Sequence, residues 1–167
     1  MQANEMWRKS ISQKPTQWAY RNLAGLSRDY GDIEKALHYM KEAYALSGEF
    51  CDPGFYEEYF KLLEDQNEYA KIWEAFEKMP ASYQEMDRLK IFAGKAALKL
   101  DKLDYMEPVF ETEFAVVREG EMTVVEMWFE YAARKLAKER GVTYSEEILK
   151  EAKETLTPPK TVDYRII

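Results

Sequence analysis

The sequence contains few of the residue types that build metal and catalytic centres. Its 167 residues include one histidine, His38, and one cysteine, Cys51. One cysteine cannot form an internal disulfide, and structural zinc sites usually use at least two cysteines. A lone histidine lacks the partner and the orienting group that a catalytic base needs. We therefore expect no metal site and no cofactor, and we predict that the chain is not an enzyme.

Cys51 directly precedes Asp52-Pro53. This pair is typical of a helix start, because Asp caps a helix and Pro fits its first turn. A helix N-terminus can lower the pKa of a neighbouring thiol. Because no second cysteine or histidine supports a nucleophile, we expect Cys51 to be a small apolar filler of the core.

Long apolar runs and an excess of positive charge are also missing. No segment approaches the ~20 apolar residues of a membrane helix, and residues 1–10 lack the apolar region of a secretion signal. Lys and Arg number 24 against 31 Asp and Glu, a net charge of −7, so the chain has no general attraction to nucleic-acid backbones. Phosphate-binding loops and common hydrolase motifs do not occur. These absences predict a cytoplasmic protein with no membrane and no nucleic-acid partner.

The sequence does contain a clear helix–turn–helix pattern over residues 17–48. Small and apolar residues recur there at spacings of three and four, as on the buried face of a helix. They are Tyr20, Leu23, Ala24 and Ser27 in the first helix and Ala36, Met40 and Ala43 in the second. Between the helices, Gly31 permits the positive φ of a tight turn, and Asp32 is a predicted N-cap.

Residues 17–48 resemble a tetratricopeptide repeat (TPR), a 34-residue helix–turn–helix unit. The residues above fall on the positions of that motif, with Ser27 where an aromatic residue is usual. Weaker units follow in register, with a degenerate helix pair and a tail at the end. The predicted ranges are residues 3–15 (half-repeat), 53–80, 85–114, 123–157 (degenerate pair) and 158–167 (tail). The resemblance implies an all-α fold over residues 1–167, a right-handed TPR-like superhelix of antiparallel helix pairs.

Local signals predict where the later helices begin and end. Thr123 with Glu126, and Thr143 with Glu146, match the capping box of a helix start. Pro108 falls inside a predicted helix, which it would kink anywhere but in the first turn. The tail is predicted either to lie along the last helices or to dock elsewhere.

A second, narrower resemblance covers residues 110–140 and the Pro-Pro-Lys-Thr-Val-Asp-Tyr-Arg ending. These stretches are similar to the C-terminal end of large bacterial proteins with an N-terminal mutarotase-like region and C-terminal TPR repeats. The resemblance implies that any carbohydrate-related chemistry lies upstream. It agrees with the half-repeat at residues 3–15, because a half-repeat leaves its apolar face without a neighbour. We predict the C-terminal part of a longer protein; alternatively, residues 3–13 are a native capping helix.

The TPR resemblance also indicates a binding surface, because it places certain positions of the first helices in a concave groove. Six residues fall on those positions: Trp18, Arg21, Arg28, Lys61, Arg88 and Lys95. Five of them are basic and would suit an acidic peptide or a carboxylate. Alternatively, the cations only solubilise the groove or pair with Asp29, Glu57 and Glu64.

The expected function is binding of a protein or peptide, or scaffolding, without catalysis. The alternative is a C-terminal accessory segment of a carbohydrate-active bacterial enzyme that packs on an upstream catalytic domain. That alternative predicts an exposed apolar face formed by Ala3, Trp7 and Ile11. The same face could join two copies of the chain as a homodimer.

Overall fold

The computed structural model describes residues 3–47, 51–117 and 122–165. Within these ranges every regular element is a helix and no strand occurs, which confirms the predicted all-α class. The helices are α1 (Ala3–Gln13), α2 (Gln17–Asp29), α3 (Ile33–Ser47), α4 (Pro53–Asp65), α5 (Tyr69–Lys78), α6 (Ala81–Gln84), α7 (Asp87–Lys99), α8 (Leu103–Val109), α9 (Thr123–Arg140) and α10 (Glu146–Thr155).

The chain divides into two compact units, Met1–Tyr83 and Gln84–Ile167. In the first unit α1 packs on α2, α2 on α3, α3 on α4 and α4 on α5. In the second unit α7 packs on α8 and α9, and α9 packs on α10. Each helix therefore packs mainly on helices that are close to it in sequence. The sequence pattern did not predict α6, which is a single turn of four residues.

The same tight turn follows four of the helices. Gly31, Asn67, Asp101 and Gly141 have positive φ angles of 77°, 57°, 57° and 68°. In each turn the next residue's N–H donates to the carbonyl oxygen five residues earlier, at 2.8 to 3.0 Å, which is the Schellman arrangement. The first three turns lie 36 and 34 residues apart, matching the shifts between the sequence units. Only Gly31 was predicted; Asn and Asp also tolerate this conformation.

Two predicted N-caps are confirmed. The side chain of Asp32 accepts a hydrogen bond from the N–H of Lys35 at 3.1 Å, so it caps α3. The side chain of Asp52 accepts from the N–H of Phe55 at 3.0 Å, and Pro53 lies in the first turn of α4.

The two predicted capping boxes are wrong. α9 begins with Thr123 itself, and no side chain caps it. α10 is capped by Ser145 rather than Thr143. Tyr144 stays outside the helix, where its ring centre lies 4.4 Å from the guanidinium carbon of Arg134. The start of α10 two residues later than predicted is therefore accompanied by a contact between Tyr144 and Arg134 of α9.

Pro108 lies in the last turn of α8, not in its first. The helix ends one residue later, at Val109, and is only 7 residues long. A proline has no N–H to donate and its ring opposes a regular helix interior. The second helix of the unit predicted over residues 85–114 is therefore much shorter than expected.

The buried face predicted for the first helix pair is largely confirmed, since Leu23, Ala24, Ser27, Ala36, Met40 and Ala43 are buried. In the later units the buried residues include Tyr56, Tyr59, Leu63, Ile72, Phe76, Ala93, Ala97, Leu103 and Phe110. Tyr20 is only half-buried, and Leu156 is exposed because it lies beyond the last turn of α10. Gly94 lets α7 approach α9 closely: a Cβ there would lie 2.4 Å from Cε of Met127, so the end of that methionine side chain would have to move.

The described part of the tail packs within the second unit. Val162 is fully buried. The Thr161 hydroxyl donates to the carbonyl oxygen of Phe110 at 2.8 Å, and the Tyr164 hydroxyl accepts from the N–H of Phe114 at 2.7 Å. Of the two predicted possibilities for the tail, the structure therefore shows the one in which it lies against its own helices.

Candidate functional site

An open depression of about 320 Å³ lies on the surface of the first unit. Its lining comes from α1, α2 and α4, and it includes Trp7, Trp18, Gly25, Arg28 and Glu58. Residues of α2 that are three or four positions apart reach the depression together, because they share one face of the helix. We call this feature the Trp18 depression.

Arg21 is the structural centre of the Trp18 depression. Its guanidinium carbon lies 5.6 Å from the ring centre of Trp18 and 5.8 Å from that of Phe55. Nε and Nη2 donate to the two carboxylate oxygens of Glu58 at 3.0 and 3.1 Å, and Nη1 donates to Asp52 at 2.9 Å. The Glu58 hydrogen bonds are the main cause that raises the pKa of Arg21 above its ordinary value. Two rings and two carboxylates therefore hold this cation in place.

Trp18 and Glu58 face solvent in the Trp18 depression, whereas the Arg21 cation lies beneath them. The Arg21 side chain is only 18% exposed, whereas the Glu58 side chain is 44% exposed. Trp18 is 61% exposed although Arg21 fixes one part of its ring. At the rim, Nη2 of Arg28 lies 3.7 Å from Oδ1 of its sequence neighbour Asp29. An approaching molecule therefore meets an indole and carboxylates before it meets the Arg21 cation.

Three of the six predicted binding residues come together in this depression: Trp18, Arg21 and Arg28. Lys61 lies on α4 outside the lining, where its ammonium group is 2.9 Å from Asp65 and 3.8 Å from Glu64. Arg88 and Lys95 lie on α7 of the other unit. The Lys95 ammonium group is 5.8 Å from the ring centre of Phe92.

The three predicted binding cations of the first unit each lie near a carboxylate, in line with one of the sequence alternatives. Asp29 pairs with Arg28 and Glu64 with Lys61, as named there. Arg21 instead pairs with Glu58 and with the helix cap Asp52. This pairing weakens the expected attraction of an acidic peptide to Arg21 and Lys61, because carboxylates of the chain already accept hydrogen bonds from these two side chains.

Sequence reasoning missed four lining residues: Asn22, Gly25, Leu26 and Glu58. A glycine in the middle of a predicted helix was a usable signal, because it lowers helix stability by about 1 kcal/mol relative to alanine. Glu58 lies 37 residues after Arg21, close to the repeat spacing, so equivalent helix faces bring the two together. Trp7 was expected only on the apolar face of the half-repeat.

A second depression of about 320 Å³ lies within the second unit, between α8 and α9. Its lining includes Asp104, Glu107, Tyr131 and Lys135. The Lys135 ammonium group lies 3.6 Å from Glu107 and 5.9 Å from the ring centre of Tyr131. Its charged side chains are exposed, and the Lys135 cation already pairs with Glu107, so we assign no binding role to this depression.

The residues considered for catalysis do not form a reactive group. His38 is exposed, with its ring centre 5.6 Å from that of Tyr39. Cys51 is buried, and burial raises the pKa of its thiol, so the nearby helix N-terminus does not activate it. Within residues 3–47, 51–117 and 122–165, no cluster of three or more His, Cys, Asp or Glu side chains could hold a metal ion.

No described helix combines the length and apolar character needed to cross a membrane. Comparison of the chain with protein-family models, with curated proteins and with solved structures found no match.

Proposed function

We propose that this chain is a non-catalytic protein-interaction module built from TPR-like repeats, and that the Trp18 depression binds a segment of a partner protein. The observation that carries the proposal is the exposure of Trp18 at 61%, beside a guanidinium fixed by Glu58 and Asp52. Tryptophan and arginine are over-represented among residues that dominate binding energies at protein interfaces.

The ordering of this surface supports a binding role. Arg21 makes three side-chain hydrogen bonds and contacts two rings, so its guanidinium has little rotational freedom. The neighbouring Trp18 therefore lies against a fixed partner. Binding to an ordered surface costs less conformational entropy than binding to a mobile one.

The repeated turns support the TPR-like part of the proposal. Gly31, Asn67 and Asp101 occupy equivalent places, 36 and 34 residues apart. The connections between α2 and α3, α4 and α5, and α7 and α8 each contain three residues. Helices that pack on each other across so short a connection run antiparallel. A right-handed superhelix of such pairs is the arrangement that this pattern favours.

The proposal can be tested by selecting peptides from a phage library of random 12-residue sequences on the whole chain. Trp18→Ala is expected to lose the selected peptides, because it removes the exposed indole. Tyr30→Ala is the matched control, since Tyr30 is also exposed but does not line the depression. Peptides that bind the wild type and Trp18→Ala equally would contradict the proposal.

A second candidate function is that of an accessory segment packing on an upstream domain of the same polypeptide. It is favoured by α1, where Met6 is 57% exposed and Trp7 and Ile11 are only half-buried. Calorimetric titration with the separately expressed upstream region of the parent gene tests it, and Met6→Glu should weaken that binding. Sedimentation of the chain alone tests the predicted homodimer through the same face.

A further inference from the structure

We propose that the segment bound in the Trp18 depression is basic: it places a Lys or Arg side chain against Trp18 and Glu58, and an apolar residue over Gly25. This inference rests on the proposed binding function of the same site. It reverses the acidic-ligand expectation drawn from the sequence, because the structure shows which charges remain accessible.

Three of the accessible polar side chains, Glu58, Asp29 and Asn22, offer hydrogen-bond acceptors, beside the guanidinium of Arg28, whose side chain is 51% exposed. Glu58 uses each carboxylate oxygen for one bond to Arg21, and a carboxylate has about four acceptor positions. Asp29, at the rim, has a side chain that is 68% exposed. Asn22 donates its amide N–H to the carbonyl oxygen of Trp18 at 2.7 Å, which leaves its side-chain oxygen for an outside donor. Lys and Arg side chains supply such donors and carry no acceptor.

The balance of charge points the same way. Within the lining, Arg21 and Arg28 balance Asp29 and Glu58, and Asp52, which pairs with Arg21 from outside the lining, brings the local charge to −1. An indole face attracts a cation, and a neighbouring carboxylate strengthens that attraction. The whole chain carries −7 at pH 7. This net charge disfavours a second copy of the chain as the occupant and favours a basic partner.

Gly25 provides independent evidence that something approaches closely from outside. It lies in the interior of α2, and a Cβ added there would meet no atom of the chain within 4 Å. Its φ does not require glycine, since the structure gives it no positive value. The residue therefore serves neither packing nor a turn, while it lowers helix stability by about 1 kcal/mol relative to alanine. The open space above it is large enough for an apolar side chain of a partner.

The test uses the same phage library of random 12-residue peptides, selected on the whole chain and depleted on Trp18→Ala. The inference expects enriched peptides that carry Lys or Arg beside an apolar residue. A synthetic copy of the most enriched peptide is then titrated calorimetrically. Glu58→Gln should weaken its binding about tenfold, the size expected for one charge-assisted hydrogen bond. Glu42→Gln, an exposed change on α3, is the matched control and should leave the affinity unchanged.

The outcomes separate this inference from the proposed function. Trp18-dependent peptides that are acidic would overturn the basic-partner inference and leave the interaction module standing. Absence of any Trp18-dependent peptide would overturn both. Basic peptides that bind the wild type and Glu58→Gln with equal affinity would overturn the contact between the peptide cation and Glu58.

Gly25 gives a second readout. Gly25→Leu should reduce the affinity about tenfold by filling the depression. Ala45→Leu, which adds the same side chain to an exposed position of α3, should not. Gly25→Ala should raise the melting temperature while it weakens binding, a combination that a folding defect cannot produce. Unchanged affinity in Gly25→Leu would overturn the close approach.

Discussion

In each unit an arginine that pairs with a carboxylate lies against an aromatic ring, but the ring is buried in the second unit and exposed in the first. In the second unit, Arg165 bonds to Asp163 at 2.7 Å, and its guanidinium carbon lies 5.6 Å from the ring centre of Phe129. Phe129 is buried. In the first unit, Arg21 lies at a similar distance from Trp18, and yet that ring remains 61% exposed. The arginine contact alone therefore does not determine whether an aromatic ring is covered.

The difference lies in the tail, which supplies a second layer only in the second unit. Val162 is fully buried, and the hydroxyl of Tyr164 accepts a hydrogen bond from the N–H of Phe114 and donates one to its carbonyl oxygen. No described residue of the first unit covers Trp18 in this way. Under the proposed binding function, the covering layer of Trp18 would come from a partner.

The largest effect should come from placing a charge in the covered site. Val162→Asp should lower the free energy of unfolding of the second unit by about 3 kcal/mol or more, because a carboxylate would lose its hydration there. Trp18→Asp should change the first unit by no more than about 0.5 kcal/mol, as an exposed substitution does. Hydrogen exchange followed separately over residues 110–117 and 17–47 measures both. Equal destabilisation of the two regions would refute the contrast.

A smaller loss of stability is expected when one hydroxyl oxygen is removed from the tail. Tyr164→Phe removes the hydroxyl that bonds to the Phe114 backbone and should cost about 1–2 kcal/mol. Tyr30→Phe removes an exposed hydroxyl from the first unit and should be close to neutral. Urea unfolding of both variants, with exchange over residues 110–117 as the local probe, gives the comparison. A neutral Tyr164→Phe would mean that burial of Val162 alone holds the tail.

The smallest effect concerns two half-buried carboxyls, Glu68 and Asp163, one in each unit. Hydrogen bonds from Lys41 and then Lys71 lower the pKa of Glu68, and a hydrogen bond from Arg165 lowers the pKa of Asp163. A carboxyl with a lowered folded-state pKa stabilises the protein above its unfolded pKa, about 4.3 for Glu. That contribution is lost as pH falls through the folded value, and for ion pairs at the protein surface it should stay below about 1 kcal/mol.

Carboxyl titration by nuclear magnetic resonance checks this prediction. Lys41→Met should return the pKa of Glu68 toward its ordinary value and leave that of Asp163 lowered. If both pKa values moved together, the local hydrogen bonds would not be their cause.

Much of the architecture could be predicted because it depends on residues close in sequence. The spacing of Leu23, Ala24, Ala36 and Met40 predicted which helix faces are buried. Asp32 and Asp52 predicted helix starts, since a cap bonds to a backbone N–H only three residues away. The turns at Asn67 and Asp101 escaped prediction because these residues adopt positive φ less readily than glycine. The capping boxes failed because Thr123 and Thr143 match a local pattern that other contacts override.

The sequence by itself determined the all-α class, the turn at Gly31 and the buried faces of α2 and α3. Only the tertiary structure decided that Arg21 pairs with carboxylates 31 and 37 residues away, that Trp18 stays exposed, and that the tail covers its own helices. Helical periodicity reports which face of a helix is apolar. It does not report which polar side chains of separate helices meet, because that depends on how the helices pack. The charge exposed at the Trp18 depression depends on how side chains from separate helices pair, so no local sequence pattern could reveal it.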